Sequence, residues 1–350
     1  MRQKILPAFH HAPTDTRKVG SLIELELSNI GLQPTPRAAR LSPSVRWRRR
    51  MAYLMQIAFD NTRRLERKRY LFEYRGVRFK LVQNNPRKRA DHLLTIVPDD
   101  QAARENAFAA ASEFLSALAW ENGAHVAVWE AGGSGWPDNC PLQKAEPNIF
   151  VFPRIPFRGN VAGYTLTRIP HVQNEAQRIA LALFREARAS NNDYLSFLFF
   201  WQVLEVDGRS PEGFVDKAFR KHRARLRIDQ SYISQLPLQG RTLGRYLLDD
   251  CRHAIAHIKR RPGKKKIDLD KPGERMRLAI STRVVEAFAK HYIEDVLCLT
   301  ERMYLIRPRR GGFPLFVDNQ TLRHGAYKQA YPSRPPRVVG PAKGRGRDRR

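Results

Sequence analysis

Residues 194–206, with the sequence YLSFLFFWQVLEV, decide the fold of the second half of this chain. Nearly every position in the stretch is apolar, and a helix that is apolar on all sides is buried among other elements. The stretch has only 13 positions and includes Gln202 and Glu205. A membrane helix needs about 20 apolar residues. The stretch therefore predicts a central helix inside a helical bundle.

Helical spacing of apolar residues continues on both sides of this stretch. It predicts helices over residues 174–189, 211–226 and 242–258, and one long helix or two over residues 274–304. Asn191, Asn192 and Asp193 form a polar break in which a side chain can cap the central helix. Together these segments predict an all-α bundle over residues 170–306.

The first half of the chain has a mixed pattern. Residues 71–74 and 77–81 alternate around Arg75-Gly76 and predict a β-hairpin, and residues 93–97, 126–129 and 149–152 predict further strands. Asp99 and Asp100 are suited to cap a helix over residues 101–121. Apolar spacing predicts another helix over residues 51–67, and the glycines of residues 132–135 predict an exposed turn. We therefore expect a small α+β domain over residues 51–165.

The chain is strongly basic throughout. It has 63 Lys and Arg against 34 Asp and Glu, a net charge of +29. Residues 307–350 hold 12 of these cations and two Asp, which predicts a basic, mostly disordered tail, while residues 1–50 form a basic, partly ordered segment. The remaining body is still basic, which favours a polyanionic partner. The alternative is a surface of arginines that are merely solvated.

Other classes of protein find little support in the sequence. Three scattered cysteines suit neither a disulfide framework nor a zinc site and indicate a reducing cytoplasm. The N-terminus has no apolar core typical of a signal peptide. We find no phosphate-binding loop followed by Lys and Ser/Thr, no Ser/His/Asp set and no Cys-x-x-Cys pair. We therefore expect no metal, no other cofactor and no membrane partner.

The candidate site is residues 251–257, CRHAIAH, in the predicted helix 242–258. The guanidinium of Arg252 can neutralise phosphate oxygens, and His253 and His257 can move a proton near neutral pH. On an ideal helix Arg252 and His257 lie about 140° apart, so either the helix bends or ends between them or two protomers are needed. Two alternatives are a metal pair formed by the histidines and an ion pair of Arg252.

The arrangement Arg252-His253-x-x-x-His257, late in a helical bundle, resembles the HEPN superfamily of small helical domains. Within that superfamily, residues 184–194, FREARASNNDY, and residues 197–205 leading to 251–257 resemble MauJ-type proteins, named for methylamine-utilisation gene clusters. The resemblance covers roughly residues 172–304. The candidate ion-pair partners of Arg252, Asp249 and Glu205, lie within this region.

The resemblance implies a metal-independent endoribonuclease that acts as a homodimer through the bundle. Arg252 would hold the scissile phosphate, His257 would be the general acid/base at the ribose 2′-OH, and His253 would orient the phosphate or tune His257. RNA rather than DNA would be the partner, held by a basic loop of Lys259, Arg260, Arg261, Lys264, Lys265 and Lys266. The alternative is a non-catalytic module that binds RNA or nucleotides or serves as a scaffold, such as a MauJ-like accessory protein.

Overall fold

The computed structural model describes residues 51–83, 90–137, 139–148, 165–256, 267–268, 270–308 and 312–323. The strands of this part of the chain form one eight-stranded sheet in the order β5-β1-β4-β3-β2-β8-β7-β6. The strands are β1 (Met51–Asn61), β2 (Arg69–Tyr74), β3 (Val77–Val82), β4 (Asp91–Pro98), β5 (Val126–Pro137), β6 (Arg168–Pro170), β7 (Arg302–Ile306) and β8 (Leu315–Asp318).

The helix predicted over residues 51–67 is wrong, because Met51–Asn61 is strand β1 between β4 and β5. Both faces of this strand are covered. Met55 and Ile57 pack in the core beneath helix α1 (Gln101–Asn122), whereas Leu54 packs in a small cluster on the opposite face. A strand buried on both faces is apolar at most positions, so its sequence shows no clear period of two.

The other predictions for this region are largely confirmed. Strands β2 and β3 pair antiparallel around Arg75 and Gly76, and β4 contains the predicted strand 93–97. Helix α1 begins after Asp100, whose side chain accepts a hydrogen bond from the backbone N–H of Ala103. The ring of Phe114 packs on that of Phe72, with centroids 4.6 Å apart, and fixes α1 on the sheet.

The glycine-rich residues 132–135 are also strand, which corrects the predicted exposed turn. They continue β5 beyond the predicted 126–129 and pair with β1 along their whole length. A Cβ atom at Gly133 would lie 2.3 Å from Tyr53 Cζ and 2.6 Å from the backbone oxygen of Leu54. Glycine is therefore needed here because the tyrosine ring crosses the strand, and not because the chain turns.

A helical region follows β6, as the sequence predicts. Its helices are α2 (Glu175–Ala189), α3 (Asp193–Glu205), α4 (Pro211–Leu226), α5 (Gln230–Ser234), α6 (Leu243–Tyr246), α7 (His253–Ala256) and α8 (Pro272–His291). Helix α3 forms where the sequence predicts it, and Phe197, Trp201 and Leu204 are buried in the core that these helices share. It is not covered on all sides, because Leu195 is exposed. The side chain of Asn192 caps its N-terminus.

The helical prediction for residues 274–304 is wrong at its C-terminal end. Helix α8 continues into a π-helical turn, Tyr292–Val296, and residues from Arg302 onward form β7. Strand β7 pairs with β6 on one side and with β8 on the other. The helical region thus lies in sequence between two strands of the same sheet. The pattern of apolar residues within a strand as short as β7 does not show which distant strands it pairs with.

Helices α1 and α2 join the sheet to the helical region. The rings of Trp120 and Phe184 meet edge to face with centroids 5.0 Å apart. Arg185 donates a hydrogen bond from Nη1 to the backbone oxygen of Ser112, 3.1 Å away. Because both contacts are partly or fully buried, the sheet provides a fixed support for α2 and the helices that pack on it.

Several sequence predictions concern residues outside the described ranges. These are the segment 1–50, the strand at 149–152 and most of the tail 307–350. Within the tail, β8 and the short helix α9 (Asn319–Arg323) are ordered parts of the fold. Among the described residues, no helix combines the length and the apolar character that crossing a bilayer requires.

Candidate functional site

The candidate site lies on the motif helix, the continuous helical segment of residues 243–256 that carries Arg252 and His253. Thr242 caps α6, as its side chain accepts a hydrogen bond from the N–H of Arg245. The helix then passes through a π-helical turn, Leu247–Arg252, before α7. A π turn places one extra residue in the helix and is often found at functional sites. It changes the direction in which residues after Cys251 point, relative to an ideal helix.

Arg252 is half-exposed and faces the end of α3. Its Nη2 lies 3.6 Å from Glu205 Oε1, and both side chains are about one-third exposed. Glu205 also accepts a hydrogen bond from Trp201 Nε1 at 2.9 Å. The ion pair of Arg252 considered from the sequence is thus formed with Glu205. The pair is open to solvent, so it adds little to stability and can exchange for a ligand.

His253 is held by the carboxylate of Asp249, one helical turn earlier. His253 Nδ1 and Asp249 Oδ1 are 3.4 Å apart, and Asp249 Oδ2 lies 2.7 Å from Arg245 Nε. A carboxylate near Nδ1 restrains the orientation of an imidazole. About one-third of the His253 side chain is exposed. The structure therefore brings Arg252 and an oriented histidine onto adjacent positions of one accessible helix.

A buried polar network anchors this helix to α8. Arg277 donates from Nη1 to Tyr246 Oη at 3.0 Å and to the backbone oxygen of Asp250 at 3.4 Å, and its Nη2 is paired with Glu274. Burial raises the pKa of Tyr246 to about 12, and burial also raises the pKa of Cys251. Both groups are neutral at pH 7. Cys251 is therefore a core residue and not an activated thiolate.

The remaining predicted site residues lie outside the described residues. They are His257 and the basic loop of Lys259, Arg260, Arg261, Lys264, Lys265 and Lys266. In the part of the chain that the structure describes, no group of three or more His, Cys, Asp or Glu side chains is placed to hold a metal ion. The site is thus described through Arg252, His253 and their carboxylate partners.

Sequence reasoning did not identify a second histidine cluster, formed where α4 meets the end of α8. His291 is buried, its Nδ1 lies 2.5 Å from Asp295 Oδ2, and its ring centroid is 5.2 Å from that of His222. Burial lowers the pKa of His291, as do His222 and Arg225, although Asp295 and Glu294 oppose this effect. The two histidines are 69 positions apart in sequence, and neither forms a local motif.

This lowered pKa predicts a loss of stability in mild acid. Below about pH 6.5, the usual pKa of histidine, the unfolded chain takes up a proton at His291 that the folded protein does not. The free energy of unfolding therefore decreases as the pH is lowered. Urea unfolding at pH 7.5 and pH 5.5 should show that the free energy of unfolding decreases less in His291→Gln than in the wild type. His171→Gln is the matched control and should behave like the wild type. An equal decrease in all three proteins would contradict the prediction.

The fold and the site define a class of protein: a sheet that supports a helical region, with an arginine and a histidine exposed on a late helix. Residues 180–294 match the family model described as Methylamine utilization protein MauJ. The match covers about a third of the chain, from α2 to the π-helical turn after α8, and includes Arg252 and His253. This match confirms that residues 180–294 are similar to MauJ, whereas the resemblance to the HEPN superfamily stays a prediction. No curated protein and no solved structure matches the chain.

Proposed function

We propose that this protein is a HEPN-like, RNA-interacting protein that cleaves RNA without a metal ion, as a homodimer. The observation that carries the proposal is the pair of adjacent side chains Arg252 and His253, both accessible and each oriented by a carboxylate. An accessible guanidinium and an oriented imidazole are groups that phosphodiester transfer can use. The MauJ-like match includes both residues.

In the proposed reaction the ribose 2′-oxygen attacks the adjacent phosphorus and the bond to the 5′-oxygen breaks. The 2′-hydroxyl gives its proton to an imidazole, which we assign to His257, and the same imidazolium then gives the proton to the departing 5′-oxygen. The products are a 2′,3′-cyclic phosphate and a 5′-hydroxyl. Arg252 would leave Glu205 to bind the non-bridging phosphate oxygens, and His253, held by Asp249, would orient the phosphate or tune His257.

A homodimer is proposed because it could bring Arg252 and His257 of two protomers into one cleft. Helix α3 offers an apolar outer face for such an association. Leu195 is 47% exposed on this face, and Leu198, three positions later, is half-buried. Glu205, the partner of Arg252, lies at the end of the same helix. A dimer through α3 would therefore place the two motifs close to its edge.

A non-catalytic role in RNA or nucleotide binding, or as a scaffold, is the second candidate. It is favoured by the pairing of Arg252 with Glu205, because an arginine held by a carboxylate is partly neutralised. In this case the motif helix would stabilise the fold and a partner-binding surface, and His257 would be dispensable. This possibility is carried by a specific contact, so the experiment must separate binding from cleavage.

The test is the cleavage of labelled total RNA in EDTA. The wild type should cleave and leave cyclic-phosphate ends. His257→Ala should lower the rate by about 10²- to 10⁴-fold, as the loss of an acid/base group does, while RNA is still bound. Arg252→Ala should lower it by about 10²- to 10³-fold, as the loss of a group that stabilises developing charge does. The matched control is His171→Ala, since His171 is also held by a carboxylate, with its Nδ1 3.3 Å from Glu301.

Two outcomes would contradict the nuclease assignment. If both motif variants cleave at the wild-type rate, the chemistry does not lie at this motif. If no protein cleaves but all retain RNA, the binding module is the better description. Sedimentation of the wild type and of Leu195→Glu tests the dimer, which the buried carboxylate should dissociate.

A further inference from the structure

Helix α4 carries a row of cations on its outer face. Lys217, Arg220 and Lys221 are all exposed and follow the i, i+3, i+4 spacing that places side chains on one face of a helix. The opposite face is held in the core by Val215 and Ala218. This row lies within the described residues and is separate from the basic loop predicted over residues 259–266.

No carboxylate of the described residues forms a close ion pair with these three cations. Lys217 and Lys221 extend from the helix, and Arg220 donates from Nε to the backbone oxygen of Asp216 at 3.3 Å. By contrast, Arg245 and Arg252 on the motif helix have carboxylate partners. Three aligned cations without acidic partners create a positive potential that attracts polyanions.

A groove lies between α8 and the end of α4, which follows a kink at His222. The groove has a volume of about 660 Å³, within the range of small-molecule sites. Cations and carboxylates line it together, namely Arg225, Arg227, Arg283, Lys290, Glu286 and Asp295. A site for phosphate alone would not include carboxylates. A nucleotide, however, carries both a phosphate and hydrogen-bond donors on its base and ribose, so the mixed lining suits it.

Two ion pairs in the groove are long and exposed enough for their cations to turn to such a ligand. Arg225 Nη1 and Asp295 Oδ1 are 3.9 Å apart, and Lys290 Nζ and Glu294 Oε1 are 4.0 Å apart. Both cations are more than half exposed. Exposed pairs of this kind contribute little to stability. A phosphate could therefore replace the carboxylates without a large loss.

Helix α4 is also tied directly to the motif helix. Asp216 Oδ1 accepts a hydrogen bond from the N–H of Gly244 at 2.7 Å, and Glu212 Oε2 lies 3.7 Å from Arg245 Nη1. The position of α4 thus fixes the cation row relative to Arg252. A strand bound along α4 would be held at a set distance from the candidate site.

We infer that the outer face of α4 is a docking surface for the backbone of single-stranded RNA, with one unpaired nucleotide in the α4/α8 groove. The inference rests on the proposed function, because it takes RNA as the ligand. It adds a structured binding surface and selects single strands, since a base inside a duplex could not enter the groove. RNA is the ligand that we infer because its phosphates complement the cations of α4, and because the mixed lining of the groove suits a nucleotide.

The test measures binding of a fluorescein-labelled, single-stranded oligoribonucleotide by anisotropy between 50 and 200 mM salt. The triple variant Lys217→Gln, Arg220→Gln, Lys221→Gln should bind more weakly, and the slope of log K against log salt should decrease by about two. The salt-induced loss of affinity across this range should then be roughly 16-fold smaller than in the wild type. Arg64→Gln, Arg67→Gln, Lys68→Gln is the matched control, because it removes three exposed cations elsewhere.

The outcomes separate this inference from the proposed function. If the wild type binds RNA and the α4 variant keeps its affinity and slope, the docking surface is wrong but the proposed function stands. If a duplex of equal length binds as tightly as the single strand, the groove has no role and the inference fails. If the wild type binds anionic phosphatidylserine vesicles but no RNA, both proposals are overturned.

Discussion

Replacing Gly244 with alanine should lower the free energy of unfolding by about 3 kcal/mol, at the upper end of the usual cost of overpacking. A Cβ atom at this position would lie 2.4 Å from the backbone oxygen of Glu212 and 3.0 Å from Asp216 Oδ1. The first contact is with backbone, so relief requires α4 and α6 to move apart. That movement would also weaken the hydrogen bond from Gly244 to Asp216. Urea unfolding of the two proteins measures the difference.

Gly273 provides the control for this substitution. It lies in the first turn of α8, and a Cβ atom there would meet no atom of the described residues within 4 Å, apart from its chain neighbours and the backbone of its own helix. Gly273→Ala should therefore be neutral or raise stability by about 0.4–1 kcal/mol, through the lower entropy of the unfolded chain. Equal losses for the two alanine variants would show that the close approach of α4 and α6 is not what requires glycine at position 244.

The helical region was the more predictable half of the fold. Apolar spacing located α2, α3 and α4 almost to the residue, and Asn192 was foreseen as a cap. These features are local: each depends on residues within a few turns of one another. The short strand β7 was missed because its partners β6 and β8 come from distant segments. Residues 302–306 are a strand because they pair with β6 and β8 in the folded sheet.

In the first half, two errors have a common cause. The sequence of β1 predicts a helix because both faces of the strand are buried, and the sequence at the end of β5 predicts a turn because it is rich in glycine. Both strands pair with each other, and Tyr53 on β1 crosses Gly133 on β5. The glycines make sense only beside that ring. Sequence patterns describe one segment at a time and cannot show such a contact.

The candidate site was partly foreseeable. The spacing of Asp249 and His253, four residues apart, favours a contact on one helical face, and the pairing of Arg252 with Glu205 was one of two alternatives. The π-helical turn and the contact of Arg277 with Tyr246 were not foreseeable. Both depend on how α8 packs beneath the motif helix. The motif itself gives the chemistry, but the surrounding helices set its geometry.

Trp201 lies in the core and contacts Glu205, the partner of Arg252. Trp201→Ala should lower the free energy of unfolding by about 3–5 kcal/mol. The indole is 1% exposed and stacks on Phe197, with ring centroids 6.1 Å apart. Truncation leaves a cavity in the centre of the helical region and frees Glu205 from its hydrogen bond with Nε1. Trp136→Ala is the matched control: this indole also donates a 2.9 Å hydrogen bond but is only half-buried, so its loss should cost less.

Glu205→Gln separates the two roles of this contact. The glutamine keeps an oxygen that can accept the Trp201 hydrogen bond, so stability should stay within about 1 kcal/mol of the wild type. It removes the charge that faces Arg252, 3.6 Å away, and so makes the guanidinium more available to phosphate. We therefore expect tighter RNA binding at unchanged stability. If Glu205→Gln instead destabilises the fold as much as Trp201→Ala does, the ion pair is needed for stability and Arg252 is not available to bind a ligand.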